Sequence, residues 1–425
     1  MFFSPLYRPN QRDRFMKLSH SLACLLLGTS ALAASSAFAG TVVLNASVAS
    51  APDRDAVNGA VASFEKANPD IKVEVNFYDE ESNKTAIRNW LTTSPPDIIK
   101  WYAGNKMAQF VKPGLLADVS DIWTPQVKAE FGPGMVDSIS VDGKQYGMPT
   151  SYSTWAIYYR KDVFAAAGVA PFKTFDDLVA SCKVFRAKGI TPVALGSKAP
   201  WPLAGWFDYI DLRQNGYAFH MDLMNGKVSW TDDKVKTVFA DWKKMVDANC
   251  FAENHTNLAW REGLAMMNQG QAAMMLMGNY LIDSLTPESE PVTEAMSFPT
   301  IDPTVPRAED APIETYHIPA KAKNIPDAKK FLAYLGQADV QMQMTQAYHI
   351  LPANPKAKPP ENRLLQESAS LASGAQSYAQ FIDRDTADAV STIAMTGFQE
   401  FLVHPDRLGR ILQNIDRAAK RAYPN

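Results

Sequence analysis

Between Thr41 and Trp101 the spacing of apolar residues switches from period two to helical spacing and back, twice over. Thr41-Val42-Val43-Leu44 reads as a strand, and after a loop from Asn45 to Pro52 a helix follows with Val57, Ala60, Val61 and Phe64 on one face. Asn68-Pro69-Asp70 ends that helix. Ile71, Val73, Val75 and Phe77 then alternate with Lys72, Glu74, Asn76 and Tyr78, a strand with one polar face. A polar loop from Asp79 to Asn83 leads to a helix carrying Ile87, Trp90 and Leu91, and beyond Ser94-Pro95-Pro96 the run Asp97 to Trp101 is a third strand. Such β-α-β-α-β crossovers make a parallel sheet with right-handed connections. Ligands of open α/β sheets bind outside the carboxyl ends of the strands. Three loops, at Asn45–Asp53, Tyr78–Asn83 and Trp101–Asn105, therefore converge on one edge.

The pattern restarts after Tyr146-Gly147-Met148-Pro149-Thr150 with a strand from Trp155 to Tyr159. Thr174-Phe175-Asp176-Asp177 is a capping-box start to a helix whose Leu178, Cys182 and Phe185 face the core, and Gly189 stops it. The strand Thr191–Leu195, the loop Gly196–Pro200 and a Trp-rich helix from Trp201 to Arg213 follow. Val235, Val238, Phe239, Trp242, Met245 and Val246 form a core stripe on another helix, and Ala272 to Met277 is a buried strand ending at Gly278-Asn279-Tyr280. A second α/β domain is expected.

Length and charge agree with two domains in an exported chain. Ahead of Ala37-Phe38-Ala39 lie Arg12, Arg14 and Lys17, then an apolar run of 13 residues from Leu22 to Ala34, which is shorter than the ~20 a bilayer span requires. This layout predicts a signal peptide, residues 1–39, cleaved after Ala39 to release a periplasmic protein. Cys24 lacks the context of a lipid-attachment site, and Met16 is an alternative start. The remaining 386 of 425 residues exceed the ~250–300 that one core supports. Setting aside the four basic and one acidic residue of the signal segment leaves 38 basic and 44 acidic side chains, a net of −6, which argues against a nucleic-acid partner. No other run is apolar and long enough to span a membrane. Cys182 and Cys250 can form one disulfide in an oxidising compartment or remain two buried thiols, and their spacing matches no zinc site.

The common catalytic signatures are missing: no Gly-x-Ser-x-Gly elbow, no phosphate-cradling loop, no His-Glu-x-x-His and no dinucleotide fingerprint. His220, His255, His317, His349 and His404 are scattered singly. Asp176-Asp177 complements a helix dipole. What recurs instead is an aromatic residue beside polar ones at strand ends and loops: Trp101-Tyr102, Tyr152, Trp201 with Trp206, Trp260, and Asn279-Tyr280. A flat ring covers the apolar face of a sugar while carboxylates, amides and Arg bond its hydroxyls.

Six motifs in order carry a family resemblance. They are Asn68-Pro69-Asp70-Ile71-Lys72-Val73, Pro96-Asp97-Ile98-Ile99, Gly114-Leu115-Leu116-Ala117-Asp118, Gly143 to Pro149, Tyr158-Tyr159-Arg160-Lys161-Asp162, and Gly270-Gln271-Ala272-Ala273-Met274 followed by Gly278-Asn279-Tyr280. The chain resembles, over residues 41 to 425, the extracellular carbohydrate-binding proteins of ABC importers, solute-binding proteins of the maltose-binding type. The resemblance implies a two-lobed periplasmic binding protein fold with a ligand cleft that closes about a hinge. It implies crossings near Pro149–Ser153, Met296–Thr300 and Ile350–Asn354, hence lobes of 41–149 with 297–350 and of 150–296 with 351–425. Its ligand positions fall on Trp101, Asn105, Tyr152, Asn279 and Tyr280, the last being Trp in many members. Trp206 and Trp260 are added as aromatic candidates, and Asp79, Glu80 and Arg213 as hydroxyl partners, although Arg213 could equally pair with Asp208 or Asp211. His349 at the third crossing is a further candidate. The function expected is a monomeric periplasmic receptor that hands a sugar to the membrane permease of an ABC importer, with no catalysis, cofactor or metal. A secreted glycosidase using Glu80, and a receptor for a polyamine, metal complex or peptide, are the alternatives, and the size and charge of the sugar stay open.

Overall fold

The computed structural model describes residues 40–424, so the predicted signal peptide and its cleavage site lie outside the described residues. Strands β1 (Gly40–Ser47), β2 (Ile71–Tyr78) and β3 (Ile98–Tyr102) are parallel, with Leu44 paired to both Val75 and Ile98. The crossover helices are those foreseen. Ala51–Ala67 starts where the Ser50 hydroxyl accepts the Asp53 N–H, and Glu80–Thr93 starts where Asp79 accepts the Ser82 N–H at 3.0 Å. The first loop is shorter than expected, because β1 keeps its ladder with β2 as far as Ser47–Tyr78 and Asn76 donates to Asn45 across it at 3.0 Å.

Three later segments complete this sheet. β4 (Met148–Tyr152) leaves it for a second sheet that begins with β5 (Trp155–Arg160) and continues with β6 (Thr191–Val193), β7 (Ala272–Gly278) and β8 (Thr293–Met296). The chain then forms β9 (Ala308–Asp310), β10 (Ile313–His317), β11 (Leu351–Pro352) and β12 (Ser377–Ala379). The first sheet runs β11-β4-β10-β3-β1-β2, with β10 antiparallel to both β3 and β4; the second runs β8-β5-β7-β6. Each has its own core. Val42, Leu44, Phe64, Ile87 and Phe331 lie in one, and Ile157, Phe185, Trp242, Met274 and Phe398 in the other.

The return from the second sheet comes later in the chain than Met296–Thr300. Phe298 stacks on Tyr209 at 5.0 Å and touches Trp206 at 5.8 Å, and β9 pairs with β12, so residues up to Asp310 stay with the second core. Ala311 and Pro312 make the crossing, and the Pro312 carbonyl accepts the N–H of Ser153 on the outgoing strand at 3.0 Å. In the second core, Cys182 and Cys250 are disulfide-bonded with α-carbons 5.1 Å apart, joining the helix Phe175–Ala187 to the segment just past the helix Asp233–Asp247.

Candidate ligand-binding cleft

The carboxyl ends of β1, β2 and β3 open into a narrow cleft of about 130 Å³, below the ~300–1,000 Å³ usual for small-molecule sites. One wall is polar. Lys100 and Tyr102 are two apart on β3 and so share a face. Lys100 pairs with Asp53 at 3.0 Å, both almost wholly buried, and Asp53 also accepts the Ala49 N–H. The Tyr102 hydroxyl donates to Glu80 at 2.8 Å, and Glu80 pairs with Lys84 one helical turn on at 2.9 Å. From β10, Glu314 meets Arg384 at 3.0 Å, and that guanidinium lies 4.2 Å from the centre of the Tyr102 ring. Burial pushes the Glu80 carboxyl up, but Lys84, the Tyr102 hydroxyl and Arg384 outweigh it and hold the group below its ordinary value. At Glu314 burial prevails over Arg384 and Lys100, and the carboxyl is raised.

The facing wall is aromatic. Trp155 opens β5, Trp201 and Trp260 each begin a helix, and Tyr280 follows β7. Trp201 lies 6.2, 6.3 and 6.5 Å from Trp155, Trp260 and Tyr280. Glycine makes this packing possible: a Cβ on Gly205, one turn into the Trp201 helix, would sit 2.7 Å from the Trp155 ring. Phe381 closes the group 4.8 Å from Trp155, with φ at +151°, a backbone state that costs a non-glycine residue on the order of 1–3 kcal/mol. Buried carboxylates hold it there. Asp385 accepts the N–H groups of Gln380 and Phe381 at 2.8 and 3.1 Å, and Asp208 accepts that of Ile382 at 2.9 Å. Burial pushes Asp208 up to about 8. Nearby His220, 2.9 Å from Asp211, is raised to about 9, because its burial is outweighed by Asp211 and Asp208.

Of the candidates named from the sequence, Asp79, Glu80, Trp260 and Tyr280 come together in this cleft. The others point elsewhere. Trp101 lies on the opposite face of β3 from Tyr102, and its indole donates to the Lys106 carbonyl at 3.1 Å. Asn105 donates to the Asp385 carbonyl at 2.7 Å, and both it and Tyr152 border a separate groove. Trp206 is core, edge-on to Phe251 at 5.4 Å. Arg213 is buried against Glu309 at 2.5 Å, rather than facing ligand or pairing with Asp208 or Asp211. Asn279 is wholly buried with its backbone N–H on Thr154, and His349 pairs with Asp283 at 2.6 Å outside the cleft lining. Tyr102 and Trp201, named in the aromatic set, also line the cleft, and so do Lys100, Trp155, Glu314, Phe381 and Arg384, which the sequence reading did not name. The strand period could have found Lys100, a lone charge in an apolar strand. Phe381 and Arg384 carry no local signal. Among the described residues no group of three or more His, Cys, Asp or Glu is arranged to hold a metal ion, and no helix is long and apolar enough to cross a membrane.

Residues 49–342 match the family model of bacterial extracellular solute-binding proteins. An uncharacterised ABC-transporter extracellular-binding protein of Pyrococcus horikoshii is 28% identical over 301 residues, 68% of this chain and 66% of its own length; a second from that organism is matched over 55% of its length. The chain thus spans between half and two thirds of these relatives. A multiple sugar-binding protein of Streptococcus mutans is 23% identical over 70% of both chains. Among solved structures, a bacterial solute receptor described as preferring β-D-galactopyranose superposes with a TM-score of 0.84 at 25% identity, covering 91% of this chain and 100% of that one. A chitin-oligosaccharide-binding protein shares the fold at 0.80 and 20% identity, over 90% and 99%.

Proposed function

Because the chain belongs to the family of bacterial extracellular solute-binding proteins, we propose that it is the periplasmic receptor of an ABC sugar importer and captures its ligand between the two walls of this cleft. The observation that carries the reading is the juxtaposition of an aromatic wall with a wall of ion-paired side chains. Rings cover the C–H face of a sugar, and the charged groups give its hydroxyls short, charge-assisted hydrogen bonds. Sugar-binding relatives and the galactose-preferring receptor support the same class.

Capture would proceed by closure of one lobe on the other about the strand crossings. We assign residues 41–149 with 313–350 to one lobe and 153–310 with 353–425 to the other. Contacts already join them across the cleft: Arg384 to Glu314, Arg261 to the Ala49 carbonyl, and Lys106 to Asp388. Export by the 1–39 signal peptide, a monomeric state and delivery to a membrane permease complete the proposal.

The test is a thermal-shift screen of the mature chain against neutral, acidic and amino sugars, with each sugar recovered afterwards. A ligand at 100 times its dissociation constant adds ~2.7 kcal/mol of stability. Stabilisation with the sugar returned intact is expected; an unmoved melting point across the panel, or a hydrolysed glycoside, refutes the reading.

A further inference from the structure

We propose that the cleft seats a single uncharged sugar ring and that its internal ion pairs exclude acidic and amino sugars; this rests on the sugar reading above. Two independent observations lead there. The first is the arrangement of the rings. Trp201 touches Trp155, Trp260 and Tyr280 within 6.5 Å, and Trp260 and Tyr280 are themselves 5.9 Å apart. Rings in mutual contact make one concave face. An oligosaccharide would need faces staggered along a groove, one for each successive unit.

The second is the charge inventory. Lys100 has Asp53 at 3.0 Å, Lys84 has Glu80 at 2.9 Å, and Arg384 has Glu314 at 3.0 Å with Asp383 at 3.9 Å. Each cation deep in the cleft already has its carboxylate, and Asp383 shares Arg384 with Glu314. The two lining groups without one among the described residues, Asp79 and Arg261, are exposed and opposite in sign. A carboxylate or ammonium on the ligand would have to displace one member of a pair and strand the other, and an uncompensated charge in a desolvated site is costly. A hydroxyl avoids that. It donates to the free lone pair of a paired carboxylate and accepts from a free N–H of the paired cation, so both pairs survive.

Isothermal titration on the mature chain would use D-glucose, D-galactose, D-mannose, D-fructose, D-xylose and L-arabinose. The best binder is then compared with its uronic acid, its 2-amino analogue (where these exist) and a disaccharide built from it. Both charged analogues should bind at least about tenfold more weakly, and the disaccharide no more tightly than the monosaccharide. A charged analogue that binds as well as the neutral sugar, or a disaccharide about tenfold tighter, overturns the inference while leaving the sugar reading intact. Silence across neutral and charged sugars alike defeats the sugar reading, and the inference with it. Glu314→Gln leaves Arg384 only Asp383 at 3.9 Å, and Glu80→Gln leaves Lys84 only Glu81 at 3.3 Å, so each should raise the uronate-to-hexose affinity ratio about tenfold. An unchanged ratio in both variants would show that the pairs do not set the preference.

Discussion

On the first sheet the charged groups that face the cleft are paired at its surface, with Lys100 held by Asp53 and Glu314 by Arg384, while the buried His317 of β10 is kept neutral. On the second sheet the cleft surface is aromatic and buried titratable groups lie one layer behind it, in Asp208, Asp385 and the pair His220–Asp211. On the proposed sugar reading the first arrangement offers hydroxyls something to bond and the second offers a C–H face something to lie on, while buried carboxyl groups hold Phe381 in place. The difference teaches that recognition and support are divided between the walls. A polar wall can do both, because its ion pairs are the contact surface. An aromatic wall needs a separate polar layer to fix the loop that completes it.

Substitutions that break one wall and spare the other separate these roles. Lys100→Met should have the largest effect: it leaves Asp53 buried without its cation and should cost about 3–5 kcal/mol of unfolding free energy in urea titrations, with sugar affinity lost as well. A loss below about 1 kcal/mol would mean that the pair is not what holds the polar wall. Trp201→Ala removes the ring that touches three others and, at 9% exposure, should cost about 3 kcal/mol and abolish binding measured by calorimetry. Binding that survives would place the sugar off the aromatic face. Replacing both Cys182 and Cys250 by Ser opens a link between residues 68 apart and should cost about 2–4 kcal/mol in thermal melts. Because that bond lies in the second core, affinity at temperatures where the chain is folded should change little.

The smallest and most diagnostic effect is in pH. Burial lowers His317 to about 4 despite hydrogen bonds to backbone groups, so its stabilising effect is present above the ordinary histidine value and is lost as pH falls from about 6.5 through 4. Asp208 and His220 are raised, to about 8 and about 9, so theirs is fully present only below the unfolded-state values and is lost as pH rises through 8 and 9. From these three groups, melting temperature should fall as pH rises from about 6.5 to 9 and stay nearly level from 6.5 down to 4, where the gain at Asp208 offsets the loss at His317. His317→Gln should unmask a rise in melting temperature as pH falls below 6.5, and His220→Gln should make the alkaline fall shallower; if either variant altered both ranges, the two sheets would not be titrating separately.

Much of the fold was legible because its signals are local. Alternation marked Ile71–Tyr78 to the residue, the Thr174 cap began a helix as read, with Asp177 donating its N–H to the Thr174 hydroxyl at 3.2 Å, and the restart after Pro149 announced a second sheet. The convergence of three loops on one edge also followed from strand direction. The candidate site was read less well. Trp101 and Tyr102 are neighbours in a motif, but successive side chains of a strand face opposite ways, and Tyr102 is the one in the cleft. Trp206 and Arg213 share a helix with Trp201, yet every residue from Trp201 to Arg213 is buried and only Trp201, at its start, lines the cleft. A crossing misjudged by about a dozen residues had the same origin, since Phe298 and β9 find partners in Tyr209 and β12 that no nearby residue reveals.

The sequence by itself determined the alternation of strands and helices, the two sheets, the sheet edge at which the cleft opens and the family, because periodicity, caps and motifs act between residues a few positions apart. Only the tertiary structure decided which side chains form the walls. Arg384 reaches Glu314 and Tyr102 through distances that depend on how two sheets are set against each other, and Trp155 meets Tyr280 and Phe381 through strand pairing and packing between segments more than a hundred residues apart. A charge or a ring becomes part of a site when it loses water to a particular partner, and which partner that is depends on the folded arrangement of the whole chain.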